Sequence, residues 1–161
     1  MLVVAALGGN ALARRGEPPT AERQVENVRC AVTSIVDLIS AGHDVVVTHG
    51  NGPQVGLLAA RSGGLPLDVL GAESEGMIGY WLDRELHNQL PDRAVAALLT
   101  QVEVDADDPA FDTPTKPIGP MLGKDEARRA VVDRGWRIAR DGSGYRRVVP
   151  SPEPRRIVEL E

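Results

Sequence analysis

The sequence predicts an α/β fold built on a parallel sheet. Two short apolar runs, LVVAAL and VVVT, each empty into glycine and asparagine, and a long helical stripe lies between them. Strand, helix, strand with a crossover of that length is the parallel β-α-β unit. At 161 residues and 42% hydrophobic, the chain has the size of a single domain with one real core.

Each element follows from local chemistry. Residues 2–7 form a continuous apolar run, which suits a strand covered on both faces. Thr20 is placed to cap a helix carrying Val25, Val28, Val32, Ile35 and Ile39 at intervals of three and four. Gly42 stops it, and residues 45–48 read as a second buried strand. Pro53 fits the first turn of a helix that passes through Leu57 and Leu58 to about Ser62, ended by Gly63 and Gly64.

A longer helix is predicted over residues 68–90, with Met77, Trp81, Leu82, Leu86 and Leu90 on its apolar face. Gly71, Gly76 and Gly79 weaken it as an isolated helix, so the expectation is a flush contact with another helix, in this chain or in a second copy. Residues 94–100 make a third strand. Acidic residues and prolines crowd DADDPAFDTPTKPIGP, residues 105–120, which is expected to be a loop or small excursion.

Residues 124–134 suit a short helix. Residues 136–149 suit two strands joined through Asp141, Gly142, Ser143 and Gly144. The expected organisation is an α/β lobe over residues 1–104, a small α+β subdomain over 105–150, and a connector over 151–161. That connector begins with the rigid PSPEP and runs into RRIVELE, an amphipathic segment with Ile157, Val158 and Leu160. Seven residues cannot bury such a stripe, so the expectation is a chain cut at the start of its next element.

The net charge of −5 and pI near 5.2 argue against a general nucleic-acid binder, whose affinity comes from clustered Lys and Arg. No run approaches the roughly 20 apolar residues of a membrane span, and Met1 leads into a strand without a basic leader. A cytoplasmic protein with no membrane partner is the expectation. Cys30, the single cysteine, is expected to be a small buried hydrophobe among Val28, Ala31 and Val32. Only two residues are lysines, Lys116 and Lys124.

Open α/β sheets bind ligands at the carboxyl ends of their strands, where loops and helix N-termini meet. Gly8, Gly9 and Asn10 occupy one such place, and Gly50, Asn51 and Gly52 another. Bare glycine backbone lets amide donors approach a ligand, asparagine adds a side-chain amide, and helix N-termini favour negative charge. Together these groups can cradle phosphate or carboxylate oxygens. A dinucleotide site fits poorly, because Val55 stands where the last glycine of GxGxxG belongs. GPMLGKD, residues 119–125, is one residue short of a P-loop and has Asp125 where Ser or Thr contacts magnesium. His49 is expected to be fixed by a hydrogen bond, and His43 and His87 to lie at the surface or on a helix flank. Lys124 and the acids Asp105, Asp107 and Asp108 read as solvated, with no metal site.

ALGGNAL (residues 6–12), THGNGPQVG (48–56), GMIGYWL (76–82), PTKPIGP (114–120) and VVPSPEPRRIVE (148–159) occur in this order. The set closely resembles the carbamate kinases of the amino-acid kinase superfamily, over essentially the whole chain. The resemblance implies a three-layer αβα sandwich with a mainly parallel sheet and a small protruding subdomain. It also implies reversible phosphoryl transfer between ATP, with Mg2+, and carbamate, giving carbamoyl phosphate and ADP, as in arginine fermentation by a cytoplasmic homodimer. Gly8, Gly9, Asn10, Gly50, Asn51 and Gly52 match the loops around the carbamate and the transferring phosphoryl group. Lys116 matches a catalytic subdomain lysine that reaches over that site as an electrostatic clamp.

Carbamate kinases carry most of their nucleotide pocket in a second half that this chain does not match. The resemblance therefore implies a substrate-side half, inactive alone, either a fragment of a longer enzyme or one partner of a split enzyme completed by a separately encoded C-terminal half. A non-catalytic anion-binding or dimerisation module derived from the same family is the alternative. A nucleotide-dependent oxidoreductase ranks last, on the failed glycine spacing.

Overall fold

A computed structural model describes residues 1–14, 17–18, 20–62 and 64–159 of the chain. Its elements run β1 (Leu2–Leu7), α1 (Gly9–Leu12), α2 (Ala21–Ser40), β2 (Asp44–His49), α3 (Gly52–Arg61), α4 (Leu67–Gln89), β3 (Thr100–Val104), β4 (Lys116–Leu122), α5 (Lys124–Arg134), β5 (Ile138–Asp141), β6 (Gly144–Val149) and β7 (Pro154–Glu159). They form two compact units, Met1–Asn51 with Gly71–Leu98, and Gly52–Leu70 with Leu99–Glu161. Among the described residues no helix is long and apolar enough to cross a membrane.

The first unit is the parallel β-α-β of the sequence reading. β1 and β2 pair in parallel from Leu2 opposite Asp44 to Leu7 opposite His49. α2 crosses between them, with the Arg23 amide donating to the Thr20 hydroxyl at 3.3 Å as its N-cap and Ala41 and Gly42 closing it. The core gathers Val28, Val32 and Ile35 of α2 with Leu12 and with Ile78, Leu82 and Leu86 of α4. Val45, Val47 and Leu7 lean on it from the sheet. Expected coverage on both faces does not hold: Leu2, Val4 and Val46 on the opposite face are exposed, because the helices of this unit pack on one side of a two-stranded ribbon.

Three other expectations change in this unit. Cys30 is exposed, since the buried stripe of α2 falls on Val28 and Val32 and leaves residue 30 on the outer face. Gly79 does permit a close approach, but to the extended segment after the helix: a Cβ there would stand 3.1 Å from that of Ala97. Gly71 faces open space. Residues 94–99 form no strand, having no ladder partner among the described residues; strand structure begins at Thr100, in the other unit.

The second unit is antiparallel. β3 pairs with β7, and β4, β6 and β5 form a three-stranded sheet in that order. β5 and β6 make the expected hairpin, Asp141 opposite Gly144 with Gly142 and Ser143 at the turn. α5 covers the predicted residues; the Gly123 amide donates to the Glu126 carboxylate at 2.9 Å at its start, and Gly135 closes its end.

β4 (Lys116–Leu122) begins inside the stretch expected to be a loop or small excursion. Pro117 and Pro120 mask its pattern, and its ladder to β6 shifts between Ile118 and Leu122. The ending departs as well: PRRIVE is a strand, drawn into β pairing by β3, with Arg156 bonded to Glu103 at 2.6 Å and Arg155 paired with Asp105. Gly63 and Leu160, singled out above, lie outside the described residues.

Candidate functional site

The parallel register decides how the two glycine turns of the first unit meet. With Leu7 opposite His49, the next residues, Gly8 and Gly50, leave the sheet side by side. The Gly50 amide donates to the Leu7 carbonyl at 2.9 Å, so that amide is committed to the fold. A Cβ on Gly50 would stand 3.3 Å from the Gly9 nitrogen. Glycine at 50 thus leaves the Gly9 amide uncovered. Gly8 is extended, at φ −63° and ψ 152°, and caps the single turn α1; its carbonyl accepts from the Ala11 amide at 2.8 Å. Asn10 sits in that turn, and its side chain lies outside the described residues.

Asn51 follows Gly50 and is half-buried. Its Nδ2 donates to the Ser74 hydroxyl at 2.8 Å, and Ser74 donates in turn to the Gly71 carbonyl at 2.7 Å. Ser74 is fully buried. The amide of Asn51 is therefore aimed from behind, with its carbonyl oxygen and second N–H still to be used. Sequence reasoning missed Ser74. The signal was a polar residue four positions before Ile78 on the stripe that continues to Leu82 and Leu86, where a buried hydroxyl requires a partner.

The structure brings Gly8, Gly9, Gly50 and Asn51 together in the first unit. Gly52 and Lys116 belong to the second, where Gly52 opens α3 and Lys116 opens β4 opposite Val149. Lys116 is exposed, as is Lys124.

His49 departs from expectation: its Nδ1 is shielded from solvent without a hydrogen-bond partner among the described residues. The Nδ1 of His43 is likewise shielded. The acidic loop does structural work. Asp108 accepts from the Ala110 amide at 2.8 Å and the Glu153 amide at 2.9 Å, and those two bonds hold its carboxyl below the usual aspartate range. Among the described residues no three His, Cys, Asp or Glu side chains gather as a metal cluster.

The geometry suits a small oxyanion against uncovered backbone amides. Residues 1–124 match the amino acid kinase family. A carbamate kinase of Haemophilus influenzae is 56% identical over 167 aligned positions, covering 99% of this chain and 54% of that protein. A carbamate kinase of Rhizobium meliloti is 54% identical, covering 99% and 51%. The solved structure of a Giardia lamblia carbamate kinase bound to citric acid superposes with a TM-score of 0.84 at 39% identity, covering 98% of this chain and 55% of that one. The chain thus spans about half the length of the curated relatives it matches.

Proposed function

The chain belongs to the amino acid kinase family and has its mixed α/β fold, and we propose that it supplies the acyl-phosphate side of carbamate kinase chemistry. In that reaction a carbamate oxygen attacks the terminal phosphorus of ATP. The new P–O bond forms as the bond to the bridging oxygen of ADP breaks, and ADP leaves with the electron pair. Carbamate is already an anion, so no general base is required. Catalysis then rests on alignment and charge neutralisation.

The observation that carries this reading is the bare approach of Gly50 to the Gly9 amide at the ends of two parallel strands. Gly8, Gly9 and Asn10 offer main-chain donors, Asn51 a side-chain amide held by Ser74, and Gly50 the space; Gly52 continues that turn into α3. Lys116 is the electrostatic clamp of the proposal. The Mg2+ accompanying the nucleotide would reach the site on the phosphates.

Because the chain spans 54% of the Haemophilus relative, the reading assigns it binding of carbamate or carbamoyl phosphate, with turnover requiring the length that such a relative has beyond this match, whether on the same polypeptide or on a second chain. Cytoplasmic arginine breakdown and a homodimeric assembly belong to the same proposal. The test is ATP formation from ADP and carbamoyl phosphate, by the chain alone and after mixing with such a second chain. Turnover only in the mixture is expected. A mixture that assembles and stays silent rejects the enzyme reading and leaves the binding module, which calorimetry with carbamoyl phosphate then checks.

A further inference from the structure

The second unit holds a cleft of about 760 Å³, a volume typical of small-molecule sites. None of the glycine-turn residues and not Lys116 lines it. Four of its lining residues are arginines, Arg61, Arg134, Arg137 and Arg147, against the single acid Asp133. That is a local charge of +3 on a chain whose formal charge is −5.

The fold holds these groups in place. α5 ends with the Gly135 amide bonded to the Val131 carbonyl at 3.1 Å and the Trp136 amide to that of Ala130 at 3.2 Å, which sets the indole in the cleft. The guanidinium carbons of Arg134 and Arg147 each lie 4.9 Å from the Trp136 ring centroid. Arg137 donates to the Asp112 carbonyl. Arg147 sits on the central strand β6, opposite Ile118 and Ile138, and its half-burial pulls its pKa down from the arginine range.

Elsewhere in this unit arginines find carboxylates: Arg146 with Asp141 at 3.0 Å, Arg156 with Glu103, and Arg155 with Asp105. Among the described residues, Arg61, Arg134 and Arg147 pair with none. An aromatic face steadies a guanidinium but takes none of its five in-plane N–H donors. A half-buried guanidinium is less fully hydrated than a free one, so an oxyanion entering the cleft gains a charge-assisted contact there. A singly charged ion would neutralise only part of the excess.

We propose that this cleft binds a small polyanion bearing at least two oxyanion groups, held by the donor edges of Arg134 and Arg147 with Arg61 and Arg137 completing the charge. Phosphate and carboxylate forms share that chemistry. Inorganic pyrophosphate and tricarballylate are therefore the two probes, titrated into the full chain at constant ionic strength kept with chloride. Trp136 emission reports occupancy in a Trp81→Phe background, which removes the other of two tryptophans; calorimetry on the unaltered chain reports it independently.

A saturable response to either probe supports the site, and which probe binds tells whether its ligand is a phosphate or a polycarboxylate. Arg147→Gln and Arg134→Gln should each weaken binding about tenfold or more, as expected for loss of a charge-assisted contact. Arg134 is exposed, so its variant tests the site even if the Arg147 variant fails to fold. No saturation with either probe, a response equalled by chloride, or affinity unchanged in Arg134→Gln overturns the proposal.

Discussion

Gly56→Ala should be among the most damaging single-methyl additions available to this chain. α3 lies directly on β4: a Cβ built on Gly56 would stand 2.0 Å from the Gly119 Cα and 2.1 Å from its nitrogen. Carbon atoms in contact settle at about 3.5–4.0 Å, so backbone must part from backbone by about 1.5 Å. Neither side can yield by rotating a side chain, and Gly119, at φ 76°, is already held in the left-handed region where other residues strain. The gap would open across the cluster of Val55, Leu70, Ile118 and Val149, each 6% exposed or less.

Burial of each is worth about 2 kcal/mol, and even a gap of about 0.5–1 Å, which partial relaxation would leave, forfeits about a quarter to a half of the contact energy. Over four side chains the loss comes to about 2–4 kcal/mol, a large part of a typical domain's stability. Urea unfolding followed by Trp136 emission in the Trp81→Phe background measures it. Gly71→Ala is the control, because a Cβ there meets nothing and helix propensity alone predicts a gain of about 0.5–1 kcal/mol. A Gly56→Ala loss below about 1 kcal/mol, or equal effects at the two positions, would refute the backbone-contact argument.

Gly50→Ala should weaken carbamoyl phosphate binding about tenfold or more with little change in the urea midpoint, since the new methyl sits over the Gly9 amide; calorimetry separates the two effects. Ser74→Ala should free the Asn51 amide and cost about 1 kcal/mol in unfolding, with carbamoyl phosphate affinity falling while Ser74→Thr keeps part of it; unchanged affinity in the alanine variant would remove Ser74 from the site. Arg29, bonded at 2.9 Å, and then Arg84 hold buried Glu85 below the usual glutamate value of 4.5. The stability this contributes is present above that value and is lost as pH falls through the depressed one, so urea midpoints of Glu85→Gln should fall less steeply than those of the parent on acidification below 4.5. Thr20→Ala should cost about 1 kcal/mol by removing the cap on the Arg23 amide, read as a lowered midpoint.

Sequence alone determined what depends on neighbours in the chain. The cap at Thr20, the stripe from Val28 to Ile35, the stop at Gly42, the turn at Gly142 and the bounds of α5 all follow from local geometry and periodicity. The glycine turns were legible for the same reason, because Gly8 and Gly50 directly follow the apolar runs that become β1 and β2.

Tertiary structure decided what depends on partners. Residues 94–99 form an apolar run of the kind that reads as a buried strand, yet only residues 100–104 find a ladder, with β7. Lys116 and its prolines became a strand because β6 offered one, and RRIVE followed β3. Gly56 acquires its role only where β4 lies against it, and Ser74 only where Asn51 reaches it. A strand's hydrogen bonds and a glycine's missing Cβ acquire their meaning from atoms distant in sequence, and no local period encodes which atoms those will be.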